Sequence, residues 1–132
     1  MSEQAFKIET DLSRNYLRLT YTGFLAVTQL APLEREVDAA FASLIAAGHP
    51  RGSHRTMVDL INAGVQSQEV AVCLQRLAAR VRALSRRVAI LKPDSKLTAL
   101  QIKRAVPEDI YATFHDEKDA LTWLFNGDGT SA

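Results

Sequence analysis

What this chain lacks narrows its role before any motif is read. It carries one cysteine, Cys73, so an intramolecular disulfide is excluded and a reducing compartment fits. No apolar run approaches the roughly 20 residues that span a bilayer, so no transmembrane segment is expected. The opening "MSEQAFKIETD" has neither the basic nor the apolar segment of a secretory signal, which makes a cytoplasmic location the expectation. Charge of one sign is missing as well. Sixteen Lys and Arg against 15 Asp and Glu leave +1, which argues against a dedicated nucleic-acid binder. Repeats, low-complexity tracts and interdomain linkers are also missing, so residues 1–132 are expected to form one domain with an ordered core over about 5–125.

What is present is an ordinary globular balance, 47% apolar and 23% charged. A chain of this size buries enough surface to fold without metal or disulfide. "AFKIET" alternates Phe6 and Ile8 with Lys7 and Glu9, and "YLRLTYTG" places Leu17, Leu19 and Tyr21 on one face. The polar "DLSRN" between them predicts a hairpin, closed by Gly23. "TQLAPLEREVDAAFASLIAAG" predicts an amphipathic helix with Pro32 in its first turn and Gly48 as its stop. Its stripe is Leu30, Leu33, Val37, Phe41, Leu44 and Ile45.

After the loop "GHPRGSHR", the run "TMVDL" predicts a third strand. Ser67 is a good N-cap for the next helix, with Glu69 favourable in the first turn. Val70, Leu74, Leu77, Val81 and Leu84 form that helix's buried seam. "RVAILKP" reads as a strand covered on both faces, and "SKLTALQIKRAV" as a further helix. A strand around 110–114 and a helix "DEKDALTWLF", capped by Asp116, complete the chain. The order β-β-α-β-α-β-α-β-α implies an α/β fold: a mixed, mostly parallel five-stranded sheet flanked by helices. Ligands and partners of such sheets use the carboxyl ends of the strands, and here that edge holds "DLINAGVQS".

This element order, the Asp-Leu ending of the third strand and the closing "FHDEKDALTWL" together resemble the STAS domain. More narrowly, the chain is similar to the stand-alone anti-sigma-factor-antagonist-like branch, the STAS/SEC14-like proteins. The likeness runs over roughly residues 6–125 and rests more on element order than on a fixed string. It implies a STAS-like fold and a non-enzymatic regulatory role, exercised by contact with another protein. In regulatory STAS proteins an Asp-Ser-Ser/Thr-Gly signature at the helix start carries a phosphorylated hydroxyl. This sequence departs from that pattern: Ser67 is the nearest hydroxyl, and Glu69 stands in the phosphorylatable slot.

Beside that resemblance, each residue has a plainer role. Ser67 reads first as a cap and second as a phosphorylation site, where phosphate would gain from the helix terminus but meet Glu69. Asp59 reads as a strand-end residue bonding loop amides, with no catalytic partner close in sequence. Asn62-Ala63-Gly64 is a turn, too short and without the lysine of a phosphate-binding loop. Arg76, Arg80, Arg82, Arg86, Arg87 and Lys92 follow one another with no acidic residue between Glu69 and Asp94. Arg76 and Arg80 lie off the seam on one exposed face. A solvated face, an acidic protein, an anionic ligand and a membrane surface are the alternatives for these cations. Glu34, Glu36, Asp38, Glu108 and Asp109 could complement them in a homodimer.

Cys73 reads as inert packing, and His49, His54 and His115 are too scattered for a metal set, so neither metal nor cofactor is expected. A phosphorelay receiver is excluded, because "FKIET" lacks the paired acids that hold magnesium. The expected contact surface is therefore Asp59, Asn62, Ser67, Gln68 and Glu69, with Arg76 and Arg80 steering an acidic partner. The alternative is a small-molecule or lipid-binding module of SEC14-like type, with the 30–45 helix covering a pocket.

Overall fold

The computed structural model describes residues 5–92 and 111–126. β1 (Phe6–Asp11) and β2 (Tyr16–Tyr21) pair antiparallel with Phe6 opposite Tyr21 and Asp11 opposite Tyr16. Asp11 shapes the hairpin turn by accepting from the Ser13 hydroxyl at 2.8 Å and the Arg14 amide at 3.2 Å. Asn15 closes it at φ 57°, a left-handed conformation that asparagine tolerates better than most side chains.

A single 3-10 turn, Val27–Gln29, leads into α1 (Leu30–Ala46). Pro32 sits in its first turn, where a backbone donor would have no intrahelical acceptor. At the other end Gly48 takes φ 103°, its amide bonds Ile45 O, and the His49 amide bonds Leu44 O. This left-handed stop satisfies two orphan carbonyls. β3 (His54–Asp59) begins two residues before the predicted Thr56. The reason is tertiary: the Arg55 amide bonds Asn15 O, and the His54 ring bonds the Asn15 side chain.

α2 (Gln68–Leu84) runs without a loop into β4 (Ser85–Leu91). β5 (Tyr111–Phe114) and α3 (Glu117–Asn126) follow, with Asp116 Oδ1 accepting the Lys118 amide at 3.2 Å as a cap. The helix predicted at "SKLTALQIKRAV", the start of the fifth strand and the tail lie outside the described residues. The sheet order is β1-β2-β3-β4-β5, antiparallel for the first pair and parallel for the rest. The predicted mixed, mostly parallel five-stranded sheet is the one observed.

Strand alternation divides the core between two faces. On one, Leu17, Leu19, Tyr21, Val88 and Ile90 meet α1 through Leu33, Val37, Phe41 and Leu44, and α2 through Val70, Leu77 and Val81. Leu74 and Leu84 of the predicted seam pack at the margin, while Ile45 of α1 is exposed. On the other face, Met57, Ala89 and Leu91 meet Ala120 and Leu124 of α3. No helix among the described residues is long and apolar enough to cross a membrane.

Candidate functional site

The junction between β3 and α2 is ordered by long-range bonds rather than by its own turn alone. The Ala63 amide closes a local turn on Leu60 O at 3.1 Å. Gly23 then pairs with Ala63 as a parallel bridge: its amide bonds Asn62 O at 2.8 Å, and its carbonyl accepts the Gly64 amide at 2.9 Å. Gln66 completes the tie. Its Oε1 accepts the Leu25 amide at 2.8 Å, while its Nε2 donates to the carbonyls of Gly23 (2.8 Å) and Gly64 (3.0 Å). The loop after β2 and the loop after β3 thus behave as one platform at the carboxyl edge of the sheet.

Several apolar side chains of these two loops are exposed. The Phe24 side chain is 73% exposed and its ring lies over Gly64, where an added Cβ would sit 3.1 Å from Cε1. Val27, Ile61 and Val65 are exposed nearby in sequence, and Val72, on the first turns of α2, is 46% exposed. Asn62, Ser67, Gln68 and Glu69 are exposed around them. Ser67 caps α2, its Oγ accepting the Val70 amide at 3.2 Å from an extended backbone at φ −61°, ψ 158°. Glu69 lies in the first turn, as its charge favours.

Asp59 lies beneath the junction, not on it. Its Oδ1 accepts the Ile61 amide at 3.1 Å and its Oδ2 holds the Arg18 guanidinium at 2.6 Å. Arg18 also reaches Glu117 at the start of α3, at 2.9 Å. Burial by itself would lower the affinity of Arg18 for its proton, but the hydrogen bonds it donates to Asp59 and Glu117 outweigh it and raise the guanidinium above its ordinary value. This triad joins β2, β3 and α3 across one face of the sheet. It also floors an open groove of about 530 Å³ on the β1–β2 side, lined by Lys7, Glu9, Asp11, Arg14 and Tyr16. Burial raises the Tyr16 phenol above its usual range.

The predicted arginines part ways. Arg76 is exposed on α2 and donates to Cys73 Sγ at 3.2 Å. Arg80 turns to α1, bonding Asp38 and, at 3.3 Å, Glu34. The bond it donates to Asp38 raises its guanidinium above the ordinary value, against a smaller opposing effect of burial. The acidic complement expected from a second chain is therefore supplied, for Arg80, within this one. His54 points to the α1 face at the far end of β3 from Asp59, so the two do not converge. It donates from Nδ1 to Asn15 Oδ1 at 2.7 Å and stacks at 5.4 Å, tilted, on Phe41. Among the described residues, Nε2 has no hydrogen-bond partner, and no three His, Cys, Asp or Glu side chains gather as a metal ligand set.

Sequence reading missed three parts of this region. Gln66 and Phe24 gave no periodic signal, because their importance lies in contacts with a segment about 40 positions away. Arg18 reads in sequence as the polar face of a strand. Its opposite charges, Asp59 and Glu117, are visible only once β2, β3 and α3 are side by side.

No family model matches the chain, and no curated protein matches it at a significant level. Solved structures do match. One is an uncharacterised protein of the DUF3478 family with a SpoIIAA-like fold, from Shewanella loihica PV-4. It is 22% identical, and the alignment covers 94% of this chain and 98% of that one with a TM-score of 0.67. Another is the anti-sigma factor antagonist SpoIIAA in its unphosphorylated form, 16% identical over 89% of this chain and 94% of its own, with a TM-score of 0.54. At these identities the likeness speaks for the fold. By architecture this chain is a STAS-like α/β domain with the SpoIIAA-like fold.

Proposed function

We propose that this domain is a non-enzymatic regulatory module that binds another protein through the β3–α2 junction. The observation that carries the reading is the platform built from two tied loops, on which Phe24 and Val65 are exposed together with Asn62, Ser67, Gln68 and Glu69. Exposed apolar side chains among polar ones, on loops already tied by hydrogen bonds, suit a protein contact. Arg76 extends that surface along α2, whereas Arg80 acts by holding α2 to α1. The likeness to an anti-sigma factor antagonist supports a regulatory partner. Ser67 is the hydroxyl on which phosphate would alter the contact, by placing charge beside Glu69.

A photo-crosslinking residue in place of Val65 should capture a discrete partner in cells, and one in place of Thr122 should not. Phe24→Asp and Arg76→Glu should each reduce that adduct severalfold without lowering thermal stability. Full capture by both folded variants would place the contact elsewhere.

The alternative, a small-molecule module of SEC14-like type, draws its support from the open groove beside Arg18. Its charged lining suits a small polar ligand, whereas α1 closes directly on the sheet through Leu33, Val37 and Leu44. Native mass spectrometry of gently purified protein would show such a ligand as added mass, lost in Arg18→Met.

A further inference from the structure

Among the described residues, charge is segregated behind the near-neutral total. Three segments meet at the end of the molecule opposite the junction: the β1–β2 turn, the loop entering β3, and the passage from α2 to β4. Hydrogen bonds hold them together. Asn15 Nδ2 bonds Ser53 O at 3.0 Å, His49 Nε2 bonds Leu12 O at 2.6 Å, and the Gly52 amide bonds Leu84 O at 3.0 Å. In register, Arg55 lies beside Arg87 on the next strand. These segments carry Arg14, Arg51, Arg55, Arg82, Arg86 and Arg87. The acidic residue in them is Asp11, already engaged by Ser13 and the Arg14 amide.

Two of these arginines have a clear internal duty. Arg55 Nε bonds Leu124 O at 2.8 Å and Arg87 bonds Trp123 O at 3.2 Å, so both serve the carbonyl end of α3. Arg14, Arg51 and Arg86 are exposed. The tip beside Arg14 is Leu12, an apolar side chain 46% exposed on the turn itself.

We propose that this end docks on the surface of an anionic lipid bilayer, with Arg14, Arg51 and Arg86 meeting headgroup phosphates and Leu12 entering the interface. Basic side chains held near such a surface each add attraction within a Debye length, and an apolar tip adds burial that an aqueous polyanion would not reward. A single-stranded nucleic acid fits less well, because the rings here are already faced by cations. Arg14 lies 4.3 Å from the Phe125 centroid, and Arg87 4.6 Å from that of Trp123. Docking by this end leaves the junction facing away from the membrane, free for a protein. The surface is separate from the junction, and its test does not depend on that reading.

Vesicle flotation with the full chain decides the matter. The wild type should float with phosphatidylcholine vesicles containing one-third phosphatidylserine at low salt, stay behind with phosphatidylcholine alone, and be released by high salt. Arg51→Glu with Arg86→Glu should lower the affinity for these vesicles at least roughly 25-fold, at about fivefold per positive charge removed. Leu12→Ser should lower it severalfold. Lys92→Glu with Lys118→Glu, the same charge change at the other end, should float nearly as wild type, and so should Ser67→Asp. Circular dichroism of each variant confirms folding. Equal flotation with neutral vesicles, or equal losses from the two double variants, overturns the proposal. So does binding of a single-stranded oligonucleotide without binding of vesicles.

Discussion

The two faces of this sheet are held by different forces. One is covered by two 17-residue helices and is apolar nearly throughout, with Leu33, Val37, Phe41, Leu44, Val70 and Leu77 seated on β1 to β4. The other has a single described helix of ten residues, packed on β3 to β5. Beside it, over β1 and β2, charges take over: Arg18 bridges Asp59 and Glu117 where an apolar pair would need a longer cover. The difference teaches where each kind of constraint acts. Burial of hydrocarbon sets overall stability, while the charged triad fixes how α3 and the end of β3 sit against β2.

The comparison predicts a graded response to substitution. Leu44→Ala, deep under α1, should cost about 2–5 kcal/mol in urea unfolding, and more than Leu124→Ala under α3. Equal losses would show the two faces to be energetically alike. Arg18→Met should cost about 2 kcal/mol, since Asp59, with a side chain 13% exposed, would keep its charge without its partner. Adding Asp59→Asn to Arg18→Met should recover part of that loss. No recovery would mean that the triad acts by packing rather than by charge.

His54 is a titratable exception buried on the apolar face, and it sharpens the comparison through pH. Burial, with a smaller electrostatic contribution from nearby His49, lowers its pKa below the ordinary 6.5. The unfolded chain therefore holds more proton in the window just below 6.5. Stability should be fully present above that value and fall as pH drops through it towards the folded pKa. Unfolding midpoints measured across this window should slope in the wild type and flatten in His54→Gln; an equal slope would place the titrating group elsewhere. At the small end, Ser67→Ala should cost about 1 kcal/mol by removing the α2 cap, and Ser67→Asp much less because aspartate also caps. A Ser67→Asp protein as stable as the wild type yet impaired in partner capture would separate the residue's two roles.

Local rules were sufficient for most elements, and their failures have identifiable causes. The hairpin, the Gly48 stop, the Ser67 cap and the helix seams follow from short-range bonding and periodicity, so a single segment contains the needed information. The early start of β3 was hidden because His54 and Arg55 sit in a Pro- and Gly-rich stretch. What makes them strand is Asn15, 39 residues earlier in the case of His54. Within the candidate site, exposure of Asn62, Ser67, Gln68 and Glu69 followed from polarity. The inward turn of Arg80 towards Glu34 and Asp38 depended on the packing of α1 beside α2.

By itself the amino-acid sequence determined an α/β chain of alternating strands and helices, because side-chain period and capping chemistry are read within a few residues. Only the tertiary structure decided which charges meet and which stay free. It tied the Phe24 loop to the Gly64 loop through Gln66, placed Arg18 between Asp59 and Glu117, and gathered arginines from three segments at one end. Those outcomes depend on distances between residues far apart in sequence, which no local pattern encodes and only the folded sheet brings within bonding range.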